Sequence, residues 1–295
     1  MTQPDRFNIT IIGERINPGF KSVKSLFDKE DIAGIQALAV RQAEGGAAYL
    51  DVNIGPRALV DPQFMAYIVR ALQEAVSVPL CFDFPSKAVQ EICLKTYDQD
   101  RAGGRPPMVN SITEARWDLM DLYRMRPFKV VVMTSERMEN GVARGNKTAD
   151  EIAATAKRAA ERLVREYGMK LDDIYLDMTV SAAVADTEGL NRGTIEAIGR
   201  IGADPELKGV HMMGGLTNIG QQLPPKAADG SDLKLGLENA FLTLTVPLGF
   251  DTILGTPWRD YHPLADDDYV FTAFRHFLTQ TGTNALRAVR KFYRA

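Results

Sequence analysis

Val210-His211-Met212-Met213 runs directly into Gly214-Gly215-Leu216-Thr217-Asn218-Ile219-Gly220-Gln221-Gln222. The apolar run reads as a buried strand. The glycines after it let backbone approach closely or take positive φ. Asn218, an uncharged amide that both donates and accepts, stands just past the strand end. Alone, this segment reads equally as a strand-to-helix turn with Asn218 satisfying local backbone. It gains weight because strands elsewhere in the chain end in the same way.

On either side, short apolar runs alternate with longer amphipathic stretches. The strands read as Asn8–Ile12, Ala48–Asn53, Leu80–Asp83, Pro107–Ser111, Lys129–Met133, Asp173–Asp177, the run before Gly214, and Thr252–Gly255. Helices are expected near 30–44, 61–76, from Ser86 onward, 113–125, 149–167, 190–201 and 233–244, with more helix to the end of the chain. Residues 134–147 and 224–232 read as polar loops. Alternating strand and helix implies a parallel sheet covered by helices. Eight such units imply an α/β fold closed as a single (β/α)8 TIM barrel, with residues 1–295 as one domain.

The composition, 45% hydrophobic and 25% charged, suits a globular chain. A net charge of −3 suggests no nucleic-acid surface. No apolar run reaches the ~20 residues of a membrane span. Met1-Thr2-Gln3-Pro4-Asp5-Arg6 lacks a signal-peptide apolar segment, and Cys81 and Cys93 are too few for a disulfide framework, so a cytoplasmic location is expected. His211, His262 and His276 are scattered, which argues against a histidine metal site.

In such barrels the site lies at the C-terminal ends of the strands. Those ends carry Glu14 and Asn17, Asp51 and Asn53, Asp83, Asn110, Asp177, and Asn218 with Gln221. The ring is rich in carboxylates and amides and poor in Lys, His and Cys. It suits a flat heterocycle rich in N–H donors, because a carboxylate accepts paired N–H bonds and an amide reads a neighbouring atom. It is poorly suited to nucleophilic catalysis. Asp51, Asp83 and Asp177 could instead hold a divalent metal, or Asp51 and Asp177 could cap helices or bind barrel backbone while Asp83 serves as a turn carboxylate. Trp117, Cys81 and Cys93 read as packing residues, Trp258 as packing or rim, and Asp266-Asp267-Asp268 as a solvated helix start.

Ile12-Gly13-Glu14-Arg15-Ile16-Asn17, Asp51-Val52-Asn53-Ile54-Gly55, Asp83, Asn110-Ser111, Tyr175-Leu176-Asp177 and Gly215-Leu216-Thr217-Asn218 together resemble the pterin-binding barrels. More closely, the chain resembles the methyltetrahydrofolate:corrinoid protein methyltransferases, over roughly Phe7 to Tyr293. Dihydropteroate synthases, the other branch, would show Ser-Arg-Lys after the seventh strand and Arg-x-His after the eighth. Here those places hold Leu216-Thr217-Asn218 and Gly255-Thr256-Pro257-Trp258.

The resemblance implies transfer of a methyl group between N5 of tetrahydrofolate and a corrinoid cobalt, in a direction the sequence leaves open. It implies that Asp83, Asn110 and Asp177 hold the pterin edge and that Asn218 acts at N5. Glu14, Asn17, Asp51, Asn53, Gly215 and Gln221 complete the expected pterin site, with no metal. The substrates are tetrahydrofolate and 5-methyltetrahydrofolate. Asp260-Tyr261-His262-Pro263-Leu264-Ala265 only superficially matches a corrinoid-binding motif, so the cobalamin is expected on a separate corrinoid protein docking over the barrel mouth. A homodimer is the assembly the resemblance implies. Phe84-Pro85 stands where the family often has small polar residues, and loops 134–147 and 222–232 are expected to adapt the rim to a partner. The alternatives are a folate-binding barrel without catalysis, or a metal-dependent lyase or hydrolase.

Overall fold

Eight parallel strands close on themselves in the computed structural model, which describes residues 6–294. The barrel strands are β1 (Thr10–Ile16), β2 (Tyr49–Val52), β3 (Leu80–Asp83), β4 (Met108–Ile112), β5 (Lys129–Met133), β8 (Ile174–Asp177), β9 (His211–Gly215) and β10 (Phe250–Gly255). Between β5 and β8 lies an antiparallel hairpin, β6 (Glu136–Glu139) and β7 (Val142–Gly145). The ring order is β1-β10-β9-β8-β5-β4-β3-β2. The expected barrel is therefore present. Residues 1–5 of the N-terminal segment read for a targeting signal lie outside the described residues, as does Ala295, to which the last helical stretch was expected to run. No helix among the described residues is long and apolar enough to cross a membrane.

Two apolar shells hold the barrel. The larger fills the space between sheet and helices. The smaller sits inside the barrel and consists of Ile12, Tyr49, Cys81, Met108, Val131, Tyr175 and Met213. Side chains on a strand repeat every second residue on one face. Two residues beyond all of these except Val131, which is followed by Met133, come Glu14, Asp51, Asp83, Asn110, Asp177 and Gly215. The strand period therefore carries the packed floor directly into a polar ring.

Several boundaries differ from expectation. β1 extends through Gly13, Glu14 and Arg15, which sequence alone makes a loop. Pairing of Gly13 with Gly255 and of Ile16 with Val52 keeps this polar segment extended. β9 likewise includes Gly214 and Gly215. The stretch 134–147 is not a plain loop. Asn140 and Gly141 both have positive φ, 51° and 80°, the pattern of a two-residue hairpin turn. The segment Glu114–Arg124 is a 3-10 run that breaks at Arg116. A short helix, Lys21–Asp28, also follows β1.

The helices start where capping residues stand. The side chains of Asp61, Ser86, Asp232 and Asp268 each accept a backbone N–H of the following turn. Thr148 opens Ala149–Tyr167 with a reciprocal pair: Thr148 Oγ1 accepts from Glu151 N, and Glu151 Oε2 accepts from Thr148 N. Just before it, Asn146 donates to Thr134 O and Thr155 Oγ1, pinning the hairpin base to that helix. Thr148→Ala is expected to destabilise the protein by about 1 kcal/mol and to lower Tm by roughly 2–4 °C. Thr148→Ser should recover most of that loss in a thermal melt.

Candidate functional site

A cavity of about 470 Å³ opens at the C-terminal end of the barrel. Glu14, Asn17, Asp51, Asp83, Gly215, Asn218 and Gln221, all expected site residues, line it. Asn53, Asn110 and Asp177 do not line it. Asn53 and Asn110 bond directly to residues that do, and Asp177 lies in the field of one of them, Asp83.

Asp51 and Asp83 sit side by side on neighbouring strands. Asn110 Nδ2 donates to Asp51 Oδ1 at 3.2 Å. Asn53 Nδ2 donates to Asp83 Oδ2 at 2.9 Å, and Gly55 N donates back to Asn53 Oδ1. Burial, together with the neighbouring Asp83, holds the Asp51 carboxyl well above the usual carboxylate range. Burial also raises Asp83, against the bond from Asn53 and the field of Arg116. Asp177 is pushed up to about 6 by burial, offset by the Thr179 N–H that its Oδ1 accepts at 2.8 Å.

On the opposite side, Glu14 bridges three strand ends. Its Oε2 accepts from Thr217 Oγ1 at 2.9 Å and its Oε1 from Thr256 Oγ1 at 3.0 Å. Burial raises its pKa against those two bonds. Asn218 follows within a single 3-10 turn, Leu216–Asn218. Gln221 Nε2 donates to Asn218 Oδ1 at 2.6 Å, which leaves the Asn218 NH2 group free to donate. Gly215 leaves room for the amide here, since a Cβ at that position would lie 3.1 Å from Asn218 Nδ2 and press on it. Asn17 is used locally, its Oδ1 accepting from Gly19 N.

Sequence reasoning missed the cations. Arg15, Lys234 and Arg259 line the same cavity, so the ring is not confined to carboxylates and amides. Arg259 pairs with the buried Glu238, whose second oxygen has no partner. Burial pushes Glu238 up to about 7 despite Arg259. Arg116 reaches Ser111 Oγ at 3.4 Å. Glu238 falls mid-helix and Arg259 in a loop, and no local pattern marks either. The segment resembling a corrinoid motif is structural: Asn239 Nδ2 donates to Asp260 O, and His262 Nδ1 lies 3.0 Å from that same oxygen. Among the described residues, no group of three or more His, Cys, Asp or Glu side chains is placed to hold a metal ion.

Buried carboxyls with elevated pKa, an amide whose oxygen is held by Gln221, and a closed apolar floor make a cavity whose chemistry suits a flat, donor-rich heterocycle. The chain belongs to the family described as pterin binding enzyme, whose model matches residues 13–253. It is 29% identical over 261 residues to the methylcorrinoid:tetrahydrofolate methyltransferase of Eubacterium limosum, covering 84% of each chain. Among solved structures it is similar to dihydropteroate synthase from Xanthomonas albilineans in complex with 7,8-dihydropteroate. The TM-score is 0.59 at 15% identity, over 84% of this chain and 87% of that one. Dihydropteroate synthase from Thermus thermophilus gives a TM-score of 0.54 at 16% identity, covering 84% and 88%. These structural likenesses concern the fold.

The raised carboxyls carry a stability consequence. The folded state holds protons that the unfolded chain releases, so Asp177 costs stability as pH rises from about 4 through about 6. Asp177→Asn removes this penalty and keeps an acceptor for Thr179 N. Relative to wild type, the ligand-free variant should gain on the order of 2 kcal/mol across that window. Urea midpoints at pH 4.5 and 7 check it, and a pH-independent difference would contradict it.

Proposed function

We propose that this chain is a methyltransferase that moves a methyl group between N5 of tetrahydrofolate and the cobalt of a corrinoid carried by a separate protein. The observation that carries the reading is the juxtaposition, in one cup, of buried acceptors and the free amide donor of Asn218. Asp51 and Asp83, which line the cavity, offer acceptors to the pyrimidine edge of a pterin, which presents neighbouring N–H groups, and Asp177, at the end of β8 and outside that lining, is taken as a further acceptor. Asn53 and Asn110 hold those carboxylates in place. A bound donor edge replaces the hydrogen bonds that burial denies them.

Asn218 works at the other end of the pterin. When a methyl group leaves N5, the bonding electron pair stays on nitrogen. The Asn218 Nδ2–H group is placed to donate to that pair as it develops, while Gln221 holds the amide by its oxygen. Gly215, Asn17 and Glu14 shape the surrounding wall. The corrinoid supplies the cobalt centre that takes or gives the methyl group. The chain contributes position: the folate is held with N5 toward the mouth, where the corrinoid protein docks. The whole chain, residues 1–295, is taken as one pterin-binding domain acting as a cytoplasmic homodimer. The buried free thiols Cys81 and Cys93 suit a reducing compartment.

Mixing the protein with methylcobalamin and tetrahydrofolate, and separately with cob(I)alamin and 5-methyltetrahydrofolate, should give a change in cobalt absorbance and show which direction is faster. Absence of transfer in both, with divalent metal bound in place of pterin, would point to a metal-dependent lyase or hydrolase. Asn218→Ala is expected to slow transfer about 100-fold while folate Kd changes by less than about threefold. Parallel losses would make Asn218 a binding residue only. Asp177→Asn should act in the opposite sense, weakening folate binding by about 1–3 kcal/mol because a pterin donor loses its acceptor. Calorimetric titration measures it.

A further inference from the structure

The chain bears a net charge of −3, yet residues 282–294 hold four cations and no acid. They form the last helix, Gly282–Arg290, and the turn after it. Ala285, Ala288, Val289 and Phe292 are buried, the i, i+3, i+4, i+7 set of an inward face. Phe292 packs edge-on against Phe277, their ring centroids 5.7 Å apart. Arg287, Arg290, Lys291 and Arg294 are exposed, with Leu286 among them at 43% exposure.

Hydrogen bonds place this helix at the mouth end of the barrel. Gly282 N donates at 2.7 Å to Thr187 O, in the connection that leaves the C-terminal end of β8. Ala228 N, in the loop that follows β9, donates at 3.0 Å to Phe292 O. Such connections lie on the face where the cup opens. The helix thus reaches from the β8 loop to the β9 loop, and none of its residues lines the cup. Acids in those loops are engaged elsewhere. Glu188 pairs with Lys147, Asp186 accepts from Leu190 N and Asn191 N, Asp229 accepts from Ser231 Oγ, and Asp232 caps Leu233–Thr245. Tyr269, whose hydroxyl donates to Lys291 O, is preceded by Asp266, which pairs with Arg275, by exposed Asp267, and by Asp268, which caps its own helix. Among the described residues, no ion pair involves Arg287, Arg290, Lys291 or Arg294. Four like charges within a few turns raise a positive potential that the fold leaves unused.

We propose that this helix face is the landing surface for the protein that carries the corrinoid, and that the carrier meets it with an acidic patch. The proposal rests on the transfer to a separate corrinoid protein put forward above. A macromolecule that must reach the mouth passes beside this helix. Opposite charge there raises the rate of encounter and fixes orientation, and because the groups are exposed the attraction weakens with salt. Leu286 adds a small apolar contact amid the charges.

Transfer to tetrahydrofolate from two donors tests the proposal: free methylcobalamin, and the methylated corrinoid protein purified, by its cobalt absorbance, from the cells that make this chain. The double variant Arg287→Glu with Arg290→Glu should raise KM for the protein donor about tenfold at low ionic strength, with kcat and the rate from free methylcobalamin unchanged. Salt should raise the wild-type KM toward that of the variant and leave the variant nearly constant. Arg287→Gln with Arg290→Gln, a milder change should the reversal fold poorly, should give the same pattern at about threefold. An unchanged KM for the protein donor overturns the proposal. Equal losses with both donors also overturn it and make the charges a support of the fold. Wild-type binding to anionic phospholipid vesicles, lost in the variant while KM stays constant, overturns it in favour of a membrane surface. Absence of transfer from either donor to the wild type removes the methyltransferase reading, and this proposal with it.

Discussion

Two carboxylates, Asp51 and Asp83, stand on neighbouring strands at the bottom of a cup, the first buried and the second partly so. Like charges in a low-dielectric site repel strongly, and each loses hydration as well. The chain answers with an amide on each, Asn110 on Asp51 and Asn53 on Asp83. Those bonds satisfy part of the demand and leave acceptor capacity directed into the cavity. A donor-rich heterocycle is the natural complement. The proposed function depends on this tension, because on that reading a ligand that relieves it is oriented by doing so, with its far end toward Asn218.

The fold makes the arrangement inexpensive to build. In a closed parallel barrel, all strands end on one rim, and the two-residue period continues from packed interior to polar mouth. Tyr49 and Asp51, Cys81 and Asp83, Met108 and Asn110, and Tyr175 and Asp177 are successive residues on the same face of their strands. For that reason much of the site was legible in the chain. A buried parallel strand is a nearly continuous apolar run, and a carboxylate or amide closing such a run is conspicuous. The barrel and most of the polar ring follow from that pattern alone.

The missed features share a physical cause. Glu14 bonds to Thr217, 203 residues away, and to Thr256, 242 residues away. Such contacts exist only after the ring closes. Glu238 looks like an ordinary helical glutamate until Arg259 is folded against it. Arg15 belongs to a polar segment that reads as a loop, yet pairing on both sides keeps it a strand. The hairpin β6–β7 hid because its strands are short and polar, although Asn140-Gly141 carries the appropriate turn chemistry. Apolar patterning reports on cores, whereas Arg259 is held by Glu238 and Arg15 faces Trp258 only once the chain is folded.

The apolar layer of Ile12, Tyr49, Cys81, Met108, Val131, Tyr175 and Met213 closes the barrel beneath the cup. Under it, Tyr175 stacks on His211 at 4.5 Å, and His211 bonds Asp251. A chamber sealed at one end has a single doorway. Two reactants that meet there must arrive in sequence, the small one first and the large one over it. None of the residues lining the cup is Ser, Cys or His, so the proposed transfer is read as a direct one within a ternary encounter, without a relay through the enzyme. On the proposed docking, the small product would leave only after the large one has undocked, which would tie the pace of the reaction to how briefly the two proteins stay together.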